Sequence, residues 1–342
     1  MAAAAAVASN CIRELQTDFF ETFHLRVEKV LSIGGSSEVV LASSIQDLSH
    51  NRAVKKISLK EEDLQDRKLS AKEAKALFHR EIEILRTLDH PNIIGGVNGV
   101  ICPDYMALSM DFCSNGTLVT HLKKMTNGLI DRYFDGLVSG VCYIHSRRIV
   151  HGNIKLQNIF VNAKNKSVLT DFGFSYKMPE NVSYVKTAGA TMAYLSPEVL
   201  MKRSKVDPFK CDSYAVGVVL RCLVLKRRPG YCPDYLQEVR ESPHVCANFR
   251  YFLEALLHRK PSRRATMAQV QTTLDELVPE DYTEELSLNC RPEEESPSTA
   301  SPPRKKIRSQ ECEEHSTMSL RGGNAYKLRS FLKKKKCYCT RC

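Results

Sequence analysis

A single amphipathic stretch, residues 71–88, stands between two runs of strand-like sequence. Within it Ala74, Leu77, Phe78, Ile82, Leu85 and Leu88 recur at helical spacing, and His90-Pro91 stops them. Ahead of it, from Leu25 to Ile57, a Val-, Leu- and Ile-rich pattern favours strands separated by a turn at Gly34-Gly35. Behind it, residues 93–112 return to short strands, and residues 117–147 and 194–277 read as mostly helical. A strand-rich first third followed by a helical remainder predicts a two-lobed α+β protein.

The length of 342 residues suits one bilobal domain of about 250 residues with flanks better than two unrelated domains. With 43% apolar residues the chain has enough to bury a sizeable core. No run of about 18 apolar residues occurs, so no membrane-spanning helix is expected. The apolar opening, Met1-Ala-Ala-Ala-Ala-Ala-Val-Ala, is short and lacks a basic region, which argues against a secretory signal. Thirteen cysteines are many for a reducing compartment, but the ten from Cys11 to Cys312 are scattered singly. Free thiols in a cytoplasmic or nuclear protein are the expectation. No internal repeat is apparent. Residues 1–24 read as a short N-terminal extension, helical in part. Beyond Pro279 the composition changes: Glu293-Glu294-Glu295-Ser-Pro-Ser-Thr-Ala-Ser-Pro-Pro has little to bury, so residues 280–342 read as a disordered basic tail.

Motifs follow one another in a fixed order. First comes Ser32-Ile33-Gly34-Gly35-Ser36-Ser37-Glu38-Val39, then Arg52-Ala53-Val54-Lys55, then the helix carrying Glu81, then His90-Pro91-Asn92-Ile93-Ile94. Further on stand His151-Gly152-Asn153-Ile154-Lys155-Leu156-Gln157-Asn158, Asp171-Phe172-Gly173 and Ser196-Pro197-Glu198, with Asp212 and Arg264 completing the series. Each motif alone is weak; the order and spacing together are specific. The chain resembles the eukaryotic protein-kinase family over roughly residues 25–279. The segment Thr191-Met-Ala-Tyr194-Leu-Ser-Pro-Glu198 leans to its serine/threonine branch. The resemblance implies the bilobal protein-kinase fold, with a small β-rich N-lobe at about 25–110 and a larger helical C-lobe at about 114–279.

It also implies ATP and Mg2+ as cofactors and a role for each matched residue. Lys55 would hold the α- and β-phosphates, with Glu81 fixing its ammonium. Asp171 and Asn158 would be the magnesium ligands, and hard cations want such oxygen donors. Lys155 would contact the γ-phosphate. Gly34 lies in the loop over the nucleotide, and Val39 and Ala53 would pack the adenine ring. Asp111-Phe112-Cys113 would be the hinge that meets the adenine edge, with Met110 guarding the inner pocket. Leu85, His151 and Phe172 would belong to the apolar stack linking the lobes. Glu198 and Arg264 would form a buried ion pair, and Asp212 would brace the catalytic loop.

Three departures bear on chemistry. The family places Asp where this chain has Asn153, to orient the substrate hydroxyl and take its proton. An amide has no basic lone pair at neutral pH, and general-base help runs to about 10²–10⁴-fold. Gly152 replaces the Arg that normally pairs with a phosphorylated activation segment, so a phosphate on Ser183, Tyr184 or Thr187 lacks its usual counter-charge. Ser32 and Ser37 replace two of the family's three loop glycines, which predicts weaker nucleotide binding. Tyr214 stands where the family usually has Trp, and it fills most of the same space.

Three functions stay open. One is a regulatory pseudokinase or very slow kinase that binds ATP and magnesium and works through a protein partner. The second is an active serine/threonine kinase acting on a protein substrate. The third is a scaffold that no longer binds nucleotide. The formal charge of +11 is not spread evenly: Lys333 to Lys336 form a basic run near the C-terminus and Arg304-Lys305-Lys306 a smaller one, and these runs bear on the tail's partners; nucleic acid is not expected. Pro303-Arg304-Lys305-Lys306-Ile307-Arg308 reads either as a nuclear-import cluster or as a solvated basic patch. The end, Lys333-Lys-Lys-Lys336-Cys337-Tyr338-Cys339-Thr340-Arg341-Cys342, has three readings: a flexible tail with free thiols, an acylated peripheral membrane anchor, or a three-thiolate metal site. Oligomeric state is not legible.

Overall fold

A computed structural model describes residues 12–34, 37–45, 51–182, 191–230, 234–243 and 245–277. Gly35, Ser36, Ser183, Tyr184, Thr187 and the whole tail from 280 onward lie outside the described residues, as do the expectations placed on them. In chain order the N-lobe elements are β1 (Arg13–Glu14), α1 (Phe19–Thr22), β2 (Leu25–Ile33), β3 (Ser37–Ser44) and β4 (Asn51–Ser58), then α2 (Glu61–Asp66), α3 (Ala71–Arg86), β5 (Asn98–Ile101) and β6 (Tyr105–Asp111). The C-lobe carries α4 (Leu118–His121), α5 (Asn127–Ser146), β7 (Ile149–Val150), β8 (Ile159–Val161), β9 (Ser167–Leu169) and β10 (Tyr176–Lys177). It closes with α6 (Pro197–Leu200), α7 (Pro208–Val224), α8 (Tyr235–Glu241), α9 (Ala247–Leu256) and α10 (Met267–Leu277). This is the bilobal protein-kinase fold, α+β, with a β-rich N-lobe and a helical C-lobe. No described helix is long and apolar enough to cross a membrane. The six described cysteines for which a state is given, Cys102 to Cys246, are free thiols.

The N-lobe strands form one sheet in the order β1-β5-β6-β4-β3-β2. Side chains alternate across it. Val40, Ala42, Val54, Val100 and Ala107 point to one face, where they form a cluster of their own with Phe19. Ile57, Ile101, Met106 and Leu108 point to the other face and join the main core with α3. Because Val39 pairs with Lys55, and Ala53 with both Leu41 and Met110, these residues also share the inner face.

Helix α3 starts on a capping box. The Glu73 amide donates to Ser70 Oγ at 3.2 Å, and the Ser70 amide donates to Glu73 Oε2 at 2.8 Å. The apolar stripe read from sequence is buried at Ala74, Phe78, Ile82 and Leu85, with Leu77 half-buried. The regular helix ends at Arg86, two residues before Leu88, with the Thr87 and Leu88 amides donating to the Ile84 and Leu85 carbonyls in tighter turns. Glu81 lies between Phe78 and Ile82 in sequence and shares their buried face, so the periodicity that buries the stripe carries a carboxylate inward. In the C-lobe, α5 and α7 are the long buried helices. Thr126 caps α5, and Asp207 caps α7 with Pro208 in its first turn.

Candidate active site

Alternation along β4 aims Lys55 at the lobe interface. Its ammonium lies 2.9 Å from Asp171 Oδ1 and 3.7 Å from Glu81 Oε1. Burial disfavours the charged amine, but the two carboxylates outweigh it and raise the Lys55 pKa, so it stays protonated. Burial pushes the Glu81 carboxyl up against the pull of Lys55. Glu81 Oε1 is buried and accepts no hydrogen bond. For Asp171 burial acts upward, yet the charge and hydrogen bond of Lys55 prevail and hold it below the usual aspartate value.

Asp171 has left-handed backbone angles, φ 63° and ψ 70°, uncommon for a side chain with a Cβ. The turn lets Phe172 enter the core behind it, edge-on to His151 with ring centroids 4.8 Å apart. Leu85 of α3 is buried in the same core cluster as Phe172. His151 is fully buried, and burial lowers its pKa, so its ring is neutral. One ring nitrogen lies 3.1 Å from the Thr170 carbonyl, and the other accepts the Asn153 amide at 3.2 Å.

Asp212, from α7, sets the shape of the catalytic loop. It accepts the His151 amide at 2.8 Å and the Gly152 amide at 3.0 Å, and His145 Nε2 lies 3.1 Å away. Gly152 has φ +75°, and a Cβ there would sit 3.1 Å from the Phe174 carbonyl oxygen. Glycine therefore meets a backbone demand at this position as well as removing an arginine.

Asn153 is buried with its side chain turned to Asp171: Nδ2 is 3.5 Å from Asp171 Oδ2. Asn158 Nδ2 donates to the Asn153 carbonyl at 2.9 Å and to the same Asp171 oxygen at 3.2 Å. The position of the family's base thus presents a hydrogen-bond donor to a carboxylate. Lys155 Nζ donates to Thr191 Oγ1 at 3.3 Å, which brings the catalytic loop to the far end of the activation segment.

Above these groups, Val39 and Ala53 share the inner sheet face, and the Gly34 amide donates to the Ser37 carbonyl at 2.6 Å in the loop between β2 and β3. At the lobe junction the Asp111 carboxylate points away from the site and pairs with Arg52 at 2.9 Å. Arg52 also reaches Ser109 Oγ and the Gly96 carbonyl. Cys113 is buried; burial and then Asp111 push its thiol up to about 11, so it is an unreactive packing group. Two further contacts carry no local sequence signal. Arg148 spans the Met178, Pro179 and Val182 carbonyls at 3.3, 2.6 and 2.8 Å, and Lys56 sits 4.7 Å from the Tyr105 ring centroid. In the C-lobe, Arg264 meets Glu198 in a two-pronged pair at 2.7 and 2.9 Å, and its guanidinium lies 5.0 Å from the Tyr214 ring.

The donor set fits a nucleotide-bound magnesium. Among the described residues no three His, Cys, Asp or Glu side chains gather as a protein-made metal cage. Mg2+ instead keeps waters and takes substrate phosphate oxygens with one or two protein ligands, and Asp171 and Asn158 are two adjacent oxygen-bearing side chains. The protonated Lys55 beside them adds a buried cation to the same group of side chains.

A family profile described as "Protein kinase domain" matches residues 25–274. The chain is 25% identical over 257 residues to a carbon catabolite-derepressing protein kinase of Secale cereale, covering 71% of this chain and 49% of that one. It is 28% identical over 196 residues to the serine/threonine-protein kinase SRK2E of Arabidopsis thaliana, covering 56% and 54%. It is 30% identical over 159 residues to the serine/threonine-protein kinase KIN4 of Saccharomyces cerevisiae, covering 46% and 19%. The chain thus spans about half the length of the first two relatives and a fifth of the third.

Proposed function

The chain belongs to the protein kinase family, and from that premise we propose that it binds ATP with magnesium, transfers phosphate slowly or not at all, and regulates a protein partner through its kinase fold. The observation that carries this reading is the state of Asn153. It is buried beside Asp171 and donates toward it, whereas a general base must accept a proton from the substrate. Around it the charged apparatus is assembled: Lys55 is paired with Asp171 and Glu81, and Asn158 is bonded to Asp171.

In this reading the Lys55 ammonium binds phosphate oxygens and Glu81 keeps it in place. Asp171 and Asn158 would hold the magnesium, which would supply charge neutralisation for the phosphates. Asp212 keeps the loop backbone in its catalytic shape. Asn153 can orient a hydroxyl through its amide oxygen, but it has no site for the proton.

One observation favours a second reading, an active serine/threonine kinase. The Lys155–Thr191 hydrogen bond joins the catalytic loop to the activation segment, and that pairing suits a productive site. Two of the three relatives bear serine/threonine-protein kinase names, in keeping with protein hydroxyls as acceptors. A thermal-shift titration with Mg·ATP and a radiolabelled phosphate-transfer assay separate the readings, run on wild type, Asn153→Asp and Lys55→Met. The proposal expects a shift in wild type, little transfer, and more transfer in Asn153→Asp. Strong wild-type transfer that vanishes in Lys55→Met replaces it with the active kinase. Absence of any nucleotide shift leaves the scaffold.

A further inference from the structure

Residues 12–23 precede the family match, which begins at residue 25, yet they are firmly tied to the N-lobe. Strand β1 adds to the edge of β5 in parallel, Arg13 beside Val100 and Glu14 beside Ile101, and the Leu15 amide donates to the Ile101 carbonyl at 2.8 Å. The segment then wraps the sheet edge. Ile12, 3% exposed, joins the core cluster that holds Ala74, Phe78 and Ile82 of α3. Phe19, 1% exposed, joins the separate cluster on the opposite face. Asp18 caps α1 by accepting the Phe20 amide at 2.8 Å, and it accepts the Tyr105 hydroxyl at 2.6 Å.

The segment reaches the Lys55–Glu81 pair through the neighbours of each partner. On the α3 side, Glu14 pairs with Lys75 at 3.2 Å. Strand β5 presses directly on α3, since a Cβ on Gly99 would fall 2.5 Å from Ile82 Cδ1, and Ile82 is the neighbour of Glu81. On the β4 side, the Lys56 ammonium lies 4.7 Å from the Tyr105 ring and 5.8 Å from the Phe20 ring, and Lys56 is the neighbour of Lys55 on the reverse face. The exposed Glu14–Lys75 pair adds little by itself; the two buried side chains are the anchors.

We propose that residues 12–23 act as positioning residues for the nucleotide site, clamping β5 and α3 together so that Glu81 stays within reach of Lys55. The nucleotide part of this inference rests on the proposed ATP binding; the clamp itself does not. When the competent arrangement is only partly populated, apparent affinity falls in proportion. If about one molecule in ten keeps α3 seated without the clamp, the apparent Kd rises about tenfold.

The test uses the full chain, a form lacking residues 2–17, and Ile12→Ser in case the deletion fails to fold. A Val270→Ala variant, altered in the buried face of α10, serves as the destabilised control. Two quantities are measured: Kd for a fluorescent ATP analogue with magnesium, and hydrogen exchange of the α3 amides from Phe78 to Arg86. The expected result is a weakened Kd of the stated size with lost α3 protection in the clamp variants, while Val270→Ala, at comparable loss of Tm, keeps both within about twofold of wild type. Unchanged α3 protection in both clamp variants overturns the proposal, as does an equal change in Val270→Ala. If wild type binds no nucleotide, the functional reading fails, and α3 protection alone still decides the clamp.

Discussion

Replacing Asn153 by Asp changes one nitrogen for an oxygen, and the structure gives the electrostatic consequence. The nitrogen lies 3.5 Å from Asp171 Oδ2. A charged oxygen there would repel the Asp171 carboxylate by about 5 kcal/mol at an effective dielectric of about 20. Lys55, 2.9 Å from the other Asp171 oxygen, attracts both carboxylates, and the two can turn apart. A net cost of roughly 2 kcal/mol is a reasonable remainder. In a domain of this size that lowers Tm by about 4–8 °C. The deficit belongs to the metal-free protein. With Mg·ATP the second carboxylate faces cations, so the deficit closes and transfer rises by about 10²–10⁴-fold. Differential scanning fluorimetry in EDTA and in Mg·ATP, paired with a transfer assay, reads all three effects. Equal Tm for the two proteins in EDTA would refute the claim that positions 153 and 171 share a field. No gain in transfer would place the defect somewhere other than the missing base.

Lys55→Met should abolish the nucleotide-dependent thermal shift and lower metal-free stability by about 1–3 kcal/mol, because Glu81 and Asp171 lose their shared partner; calorimetry with and without Mg·ATP checks both. Glu198→Gln leaves the fully buried Arg264 without its counter-charge and should cost about 3–5 kcal/mol at neutral pH, read from urea unfolding. The pH dependence has a definite sign. Burial raises the Glu198 pKa, but Arg264 outweighs it and holds the group below its ordinary 4.5. Its stabilisation is therefore complete above that unfolded value and is lost as pH falls through the lower native one, so Glu198→Gln should show a flatter acid limb. Gly152→Ala forces a Cβ into a left-handed position near the Phe174 carbonyl and should cost about 1–2 kcal/mol, visible as a lower Tm with nucleotide affinity little changed.

The parts of the molecule legible in sequence are those where one local rule decides the outcome. The stripe from Ala74 to Leu85 has to bury one face of a helix, and the same period turns Glu81 inward. Lys55, Asn158 and Asp171 sit in motifs that the chain reproduces, and the structure brings all three together with Glu81. Residues 12–23 were harder to read. Ile12 and Phe19 are buried by strands far along the chain, and the Asp18–Tyr105 bond spans 87 residues, so no local pattern announces them. Arg148 was missed for the same reason: its acceptors are backbone carbonyls some thirty residues away, and carbonyls leave no trace in sequence. Motif matching flagged Asn153 as a loss. Its donation toward Asp171 depends on the fold, which brings together two side chains eighteen residues apart.

The bracing by Asp212 carries an evolutionary consequence. Asp212 holds the catalytic loop by the amides of His151 and Gly152, groups that every non-proline residue possesses. The path of the loop therefore owes little to which side chain stands at 153. Asparagine and aspartate codons differ by one base, so a point mutation exchanges the two at position 153, in either direction, without rebuilding the loop.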